Sequence, residues 1–138
     1  MYKIKTHTTG KDIYCLPYKN LKNKNLRGMN LTCADMRNMD LSGSDLSGCN
    51  LTKADLRGAN LTGCNLTGCY ILGCKFDDAI MINVRGLDTI KKKFMDTSGF
   101  YHASWSGCDF YGVYFDWLDT SATGNISKFF ERCKNVNI

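Results

Sequence analysis

The chain has 138 residues, 43% of them hydrophobic, and a net charge of +5. That length predicts one domain, and one proline beside thirteen glycines argues against disorder. No run nears the ~20 apolar residues that span a bilayer, so a membrane protein is not expected.

Taken in chain order, the first expected element is a hairpin. Tyr2-Lys3-Ile4-Lys5-Thr6 and Ile13-Tyr14-Cys15-Leu16 flank Thr8-Thr9-Gly10-Lys11, which is alternation, a glycine turn and a second run. It ends near Pro17, giving an N-terminal β cap over residues 1–17. Nothing apolar follows Met1-Tyr2-Lys3-Ile4-Lys5 as the core of a signal peptide would, and a cytoplasmic location is the expectation.

A bulky apolar residue then recurs every fifth position, thirteen times without a break. The series is Leu21, Leu26, Leu31, Met36, Leu41, Leu46, Leu51, Leu56, Leu61, Leu66, Ile71, Phe76 and Met81. A period of five fits neither an α-helix nor an ordinary strand, and internal repetition fixes the architecture. Two residues before most of these centres stands a small side chain, as at Ala34, Ser44, Cys49, Ala54, Cys64, Cys69 and Cys74. The intervening residue is Asn or Asp from Asn20 through Asn65. Residues two apart in an extended chain share a side, so the small residue and the centre face inward and the Asn or Asp faces out. Ser, Thr, Arg and Gly after each centre turn the corner.

Such units, stated in full by Ala54-Asp55-Leu56-Arg57-Gly58 and Ala59-Asn60-Leu61-Thr62-Gly63, resemble the pentapeptide-repeat family, whose units read Ala-(Asp/Asn)-Leu-x-x. The resemblance covers roughly residues 19–83 and, less closely, 98–117. It implies an all-β solenoid: a right-handed quadrilateral β-helix of about four to five coils spaced ~4.8 Å apart, here spanning residues 18–120. With four faces, residues twenty apart stack. Leu21, Leu41, Leu61 and Met81 form one column, Leu26, Leu46 and Leu66 the next, Leu31, Leu51 and Ile71 a third, and Met36, Leu56 and Phe76 the fourth.

The pattern breaks in three places. Lys19 and Lys24 occupy the small inward position, and since a buried unpaired amine is costly, the first coil is expected to splay and let both reach solvent. After Met81 the phase slips: Phe100, Trp105, Phe110 and Phe115 again lie five apart, but the run starts 19 residues after Met81. Residues 86–97 are therefore an insertion or a distorted coil, with Asp88 able to cap a short helix bearing Leu87, Ile90 and Phe94 on one side. Past Ser121, Ile126, Phe129, Phe130 and Cys133 fall at helical spacing. Residues 121–138 are thus expected to be a C-terminal helix that caps the stack or joins two copies in a dimer.

No catalytic constellation emerges, and neither His7 nor His102 sits in a recognisable motif. The eight cysteines do not follow zinc-site spacing. Cys49, Cys64, Cys69 and Cys74 stand where alanine normally stands, and read as core filler. Cys15, Cys33 and Cys133 lie outside that position. No cofactor and no metal are expected. Two basic groups remain as possible partner contacts: Lys19, Lys22, Lys24 and Arg27, and Lys91, Lys92 and Lys93 in the insertion. The primary expectation is a non-enzymatic interaction scaffold with a protein partner. The family resemblance implies an alternative, since some members bind DNA gyrase or topoisomerase IV as mimics of duplex DNA and protect against quinolones. The excess of Lys and Arg, 18 against 13 acidic residues, opposes that mimicry. Direct nucleic-acid binding through the basic groups is a third reading.

Overall fold

A computed structural model describes residues 2–89, 103–115, 130 and 132–137. From Leu21 to Met81 every centre is buried, none more than 1% exposed, and so are Trp105, Phe110 and Phe115. Phe100 lies outside the described residues. From Leu26 to Met81, and again at Trp105 and Phe110, each centre closes its corner the same way: its carbonyl accepts the N–H three residues on, as Ala34 donates to Leu31 at 3.0 Å and Ala54 to Leu51 at 2.9 Å. The third residue of that turn needs a positive φ. Glycine supplies it at most corners, but Lys53 (57°) and Cys33 (58°) adopt it with a side chain attached.

Between corners the backbone pairs with the coils on either side. Parallel bridges join Asn25 to Asp45, Asn30 to Asn50, Asp35 to Asp55 and Asp40 to Asn60, and the series continues to Asn65 with Arg85. The offset is twenty throughout, with a bridge on each of four faces, which makes the coil four-sided. In one bridge Leu26 donates to the carbonyl of Asp45 at 2.8 Å while Asp45 donates to that of Lys24 at 2.9 Å. Main-chain polar groups are thereby satisfied along the stack.

The break after Met81 has a local cause. Gly86 falls where the next centre belongs. A Cβ there would sit 2.4 Å from the Thr67 amide nitrogen and 2.6 Å from its Cα, so the position admits no side chain. The chain leaves the coil in a 3-10 turn, Leu87–Thr89, and Leu87 is buried at 3% exposure. When the coil resumes, Lys75 pairs with Ser104 and Ile80 with Asp109. The offset is now twenty-nine, so the excursion adds nine residues to a coil. Counting from Met81 to Phe100 suggested one residue too few, because it ignored which face each run occupies. Trp105 stacks on Phe76, with centroids 4.4 Å apart and planes 5° from parallel. The Lys91, Lys92 and Lys93 group and the rest of the inserted segment lie outside the described residues.

At the N-terminal end β1 (Tyr2–Thr6) and β2 (Asp12–Leu16) form the hairpin, and β1 also pairs antiparallel with β3 (Ala34–Asp35). The sheet order is β2-β1-β3. Ile4, wholly buried, seals the first coil, and Nε2 of His7 lies 2.7 Å from the Lys53 carbonyl, tying the hairpin to a second corner. Lys19 is exposed, while Lys24 is half-buried with Nζ 5.2 Å above the Tyr18 ring.

At the other end Phe130 and residues 132–137 form turns and bridges where a helix had been expected; Ile126 and Phe129 lie outside the described residues. Lys134 bridges Asp109 and Asn137 bridges Tyr114. Cys133 accordingly takes the small inward position, a correction to its reading as an outlier. Phe130 packs against Phe115 at 4.9 Å and Phe110 at 5.8 Å, so aromatic rings plug this end of the stack.

Candidate functional site

Among the described residues the interior holds no site chemistry. Cys49, Cys64 and Cys69 donate their thiols at 2.9 Å to the carbonyls of Leu26, Leu41 and Leu46. Cys133 does the same to Trp105 at 2.9 Å, and Ser44 to Leu21. Each thus ties one coil to the centre of the coil before it. Burial pushes the Cys49 thiol up to about 11 and those of Cys64 and Cys69 to about 12, the reverse of what a metal ligand or nucleophile needs. Among the described residues no group of His, Cys, Asp or Glu is placed to hold a metal ion.

The outward Asn and Asp are committed as well. Oδ1 of each accepts the N–H two residues on, as at Asp40 from Ser42 (3.0 Å), Asp45 from Ser47 (3.0 Å) and Asn60 from Thr62 (3.1 Å). These side chains build the corners. On one face the row becomes an ion ladder. Arg57 grips Asp55 with two hydrogen bonds of 2.9 and 2.6 Å, Arg37 grips Asp35 likewise at 2.9 Å each, and Arg37 reaches Asp55 at 4.0 Å. Asp55 was expected to face solvent, yet the two guanidinium groups leave its side chain only 4% exposed. Hydrogen bonds from Arg37, Ser42, Ser47 and Arg57 hold Asp35, Asp40, Asp45 and Asp55, respectively, below the usual carboxylate range. Carboxylates held ionised in this way are poor general acids.

Two features of the outer surface are not explained by the repeat. The first is apolar. Tyr70, Leu72, Ile80, Tyr111 and Tyr114 are 37%, 47%, 38%, 61% and 68% exposed. One coil earlier the same places hold Asn50 above Tyr70 and Asn60 above Ile80. The surface therefore turns from polar to apolar along the stack. Sequence reasoning passed over these residues, although the signal was visible where Tyr70 and Ile80 interrupt the Asn/Asp row. Beside Tyr114 a depression of about 330 Å³ opens between Val84–Asp88 and Gly112–Tyr114, with Arg85 and Asp88 on its wall. No helix among the described residues is long and apolar enough to cross a membrane.

The second feature is charge. Residues 1–27 carry seven Lys and Arg and one Asp, a net of +6, while the rest of the chain sums to −1. Lys3 pairs with that Asp12 at 3.0 Å, Lys5 reaches it at 3.9 Å, and Arg27 reaches Asp45 at 3.9 Å. Of the predicted contact residues, Lys19, Lys22, Lys24 and Arg27 therefore sit together at the N-terminal end. His7 is a structural tie there, and His102 lies outside the described residues.

The family model for pentapeptide repeats matches residues 20–48 and 44–84 with eight copies. No curated protein sequence matches the chain. Among solved structures, a trypsin-treated form of QnrB1, a plasmid-mediated fluoroquinolone resistance protein, superposes with a TM-score of 0.56 at 15% identity. The match covers 86% of this chain and 53% of that one, so this chain spans about half the length of QnrB1. A pentapeptide repeat protein from the thylakoid lumen of Arabidopsis thaliana is 19% identical over 86% of this chain and 67% of its own, with a TM-score of 0.37. HetL, involved in heterocyst differentiation regulation in the cyanobacterium Nostoc sp. strain PCC 7120, is 18% identical over 71% and 52%, with a TM-score of 0.39. The repeat model, the four-sided bridging and the QnrB1 superposition agree: the chain belongs to the pentapeptide-repeat family and folds as its right-handed quadrilateral β-helix.

Proposed function

We propose that the chain is a non-enzymatic interaction protein that presents a rigid four-sided solenoid to a protein partner. The observation that carries this reading is the set of exposed Tyr70, Leu72, Ile80, Tyr111 and Tyr114 on the later coils, where Tyr70 and Ile80 replace the Asn50 and Asn60 of the coil before. Exposed apolar side chains gathered at one end of a soluble repeat mark an interaction surface. An enzyme would need convergent polar groups in a concave pocket, and here the interior is filled by the centres and the outer carboxylates are spent on corners. The finer features of the proposal are a stack of four to five coils, a homodimer built through residues 121–138 and a cytoplasmic location. Placing a photo-crosslinking amino acid at Leu72 or Tyr111 tests the surface, with Thr52 as the polar control. A discrete crosslinked protein at both apolar positions and none at Thr52 supports the proposal; equal, diffuse labelling at all three refutes it.

The likeness to QnrB1 favours a second reading, a topoisomerase-binding protein of the quinolone-resistance type. Charge weighs against it: a duplex-DNA mimic needs rows of uncompensated negative charge, whereas Arg37 and Arg57 neutralise the Asp35 and Asp55 row here. A gyrase supercoiling assay with and without ciprofloxacin separates the readings. Protection or inhibition near stoichiometric protein establishes the second, and no effect at large excess removes it.

A further inference from the structure

We infer that the open edge of β2, between Lys11 and the Tyr18–Lys24 pair, takes up an extended acidic segment of a partner protein as an added strand. The inference rests on the interaction-protein reading and supplies a partner chemistry for the end of the rod opposite the exposed tyrosines. In the order β2-β1-β3, β1 has a neighbour on each side and β3 belongs to the coil, which leaves β2 paired on one side only. Among the described residues no main-chain hydrogen bond joins Asp12–Leu16 to anything beyond its own hairpin. A five-residue strand is ~17 Å long, enough for alternate N–H and C=O groups to register a second chain.

Natural edges are guarded by charged side chains, proline, bulges or a covering element. The register passes from Ile4–Tyr14 to Lys5–Asp12, so the extra residue of the bulge is Ile13 at the turn end of β2, and Pro17 comes only after the strand has ended. From Tyr14 to Leu16 the edge is regular and carries neither a charge nor a proline, and Cys15 is exposed. Both ends of this stretch are basic. Lys11 precedes β2, exposed Lys19 follows it, and Lys24 is held above Tyr18. Among the described residues no ion pair engages Lys11, Lys19 or Lys24; Lys22 lies in the field of Asp40, and Asp12 and Asp45 are taken by Lys3, Lys5 and Arg27.

Charge selects the occupant. A second copy of this chain would bring its own +6 end against the first, and like charges across an interface oppose pairing. A nucleic acid would engage the lysines but leave the strand edge unpaired. An acidic extended peptide satisfies both: its backbone pairs with β2 and its carboxylates meet the lysines at either end.

The test uses the full chain and a short labelled peptide alternating Glu and Val. Binding is read by fluorescence anisotropy, and hydrogen exchange is followed at Ile13–Leu16. The acidic peptide should bind and slow exchange in β2 by about tenfold or more, whereas a Lys–Val peptide should do neither. Methylating alternate peptide nitrogens along one edge should abolish binding, and methylating the other edge should not. A variant with Lys11→Glu, Lys19→Glu and Lys24→Glu should bind about tenfold more weakly or worse, with its peptide-free exchange at β1 and β2 unchanged as proof of folding. The inference is overturned by failure of the acidic peptide to bind, by binding that leaves β2 exchange untouched, or by a single-stranded oligonucleotide binding these lysines while the peptide does not. If crosslinking at Leu72 and Tyr111 succeeds while the peptide fails, only the β2 assignment falls.

Discussion

A leucine in this interior cannot be shortened without leaving a hole, because the backbone around it is fixed on both sides by coil-to-coil hydrogen bonds. Leu46 donates its N–H to Asn65 and accepts from Cys49, and its side chain is wholly buried. Leu46→Ala should therefore cost ~2–5 kcal/mol, toward the range seen where a core cannot collapse; a urea titration giving less than ~1 kcal/mol would contradict the packing. The thiols behave differently. At the inward position Ala34, Ala54, Ala59 and Ala79 do without a donor, and the Leu41 carbonyl keeps its bond from the Ser44 amide if Cys64 is lost. Cys64→Ala should thus change stability by no more than about 1 kcal/mol. With its pKa at about 12, Cys69 carries almost no thiolate at neutral pH. Pulse alkylation followed by mass spectrometry should label exposed Cys15 first and reach Cys64 and Cys69 only on unfolding; equal rates would mean that the coils open readily.

The corners and the ladder set the response to acid at the level of a face. Asp35, Asp40, Asp45 and Asp55 have folded pKa values below the ordinary 3.8. The unfolded chain therefore binds protons first as pH falls. These four groups contribute stability fully present above about pH 5, which is lost as pH drops through 3.8 toward their folded values. Urea midpoints should stay level from pH 7 to 5 on their account and fall below about pH 4. Asp55→Ala leaves half-exposed Arg57 without its partner, while Arg37 keeps Asp35, and should cost about 1 kcal/mol at pH 7, with a shallower fall in acid; an unchanged acid limb would remove Asp55 from this account. How much of a face could be read in advance depended on whether its logic was local. The five-residue period was legible because every unit carries its own inward pair and its own corner. The burial of Asp55 was not, since it needs Arg37 from the coil above. Nor was the nine-residue excursion, because the side chain a centre needs is excluded at Gly86 by Thr67, nineteen residues away in sequence. Cys133 was misassigned because Phe130 and Cys133 are three apart, a spacing that suits a helix and a repeat corner equally.

Across the whole molecule the charge is polarised, and polarisation has a cost in stability that salt should reveal. The excess of seven Lys and Arg over one Asp lies within residues 1–27, confined to the hairpin and first coil, where neighbouring strands are ~4.8 Å apart. The folded state holds these amines well within a Debye length of one another, about 10 Å at 0.1 M salt, whereas the unfolded chain lets them separate. Their repulsion thus opposes folding, and screening it should raise stability. The attractive pairs push the other way, since salt weakens exposed ion pairs. Most of those here are partly exposed and worth little, while the Asp55 pair is covered and hydrogen-bonded and so screened less. The repulsive side should win, and the melting temperature should rise by about 2–4 °C between low and moderate salt. Lys19→Glu, at an exposed position without an ion pair among the described residues, should raise the melting temperature at low salt and flatten its rise. A melting temperature that falls with salt would mean that the Asp–Arg ladder outweighs the basic end. The uncommitted lysines would then impose no folding cost for an acidic partner to relieve.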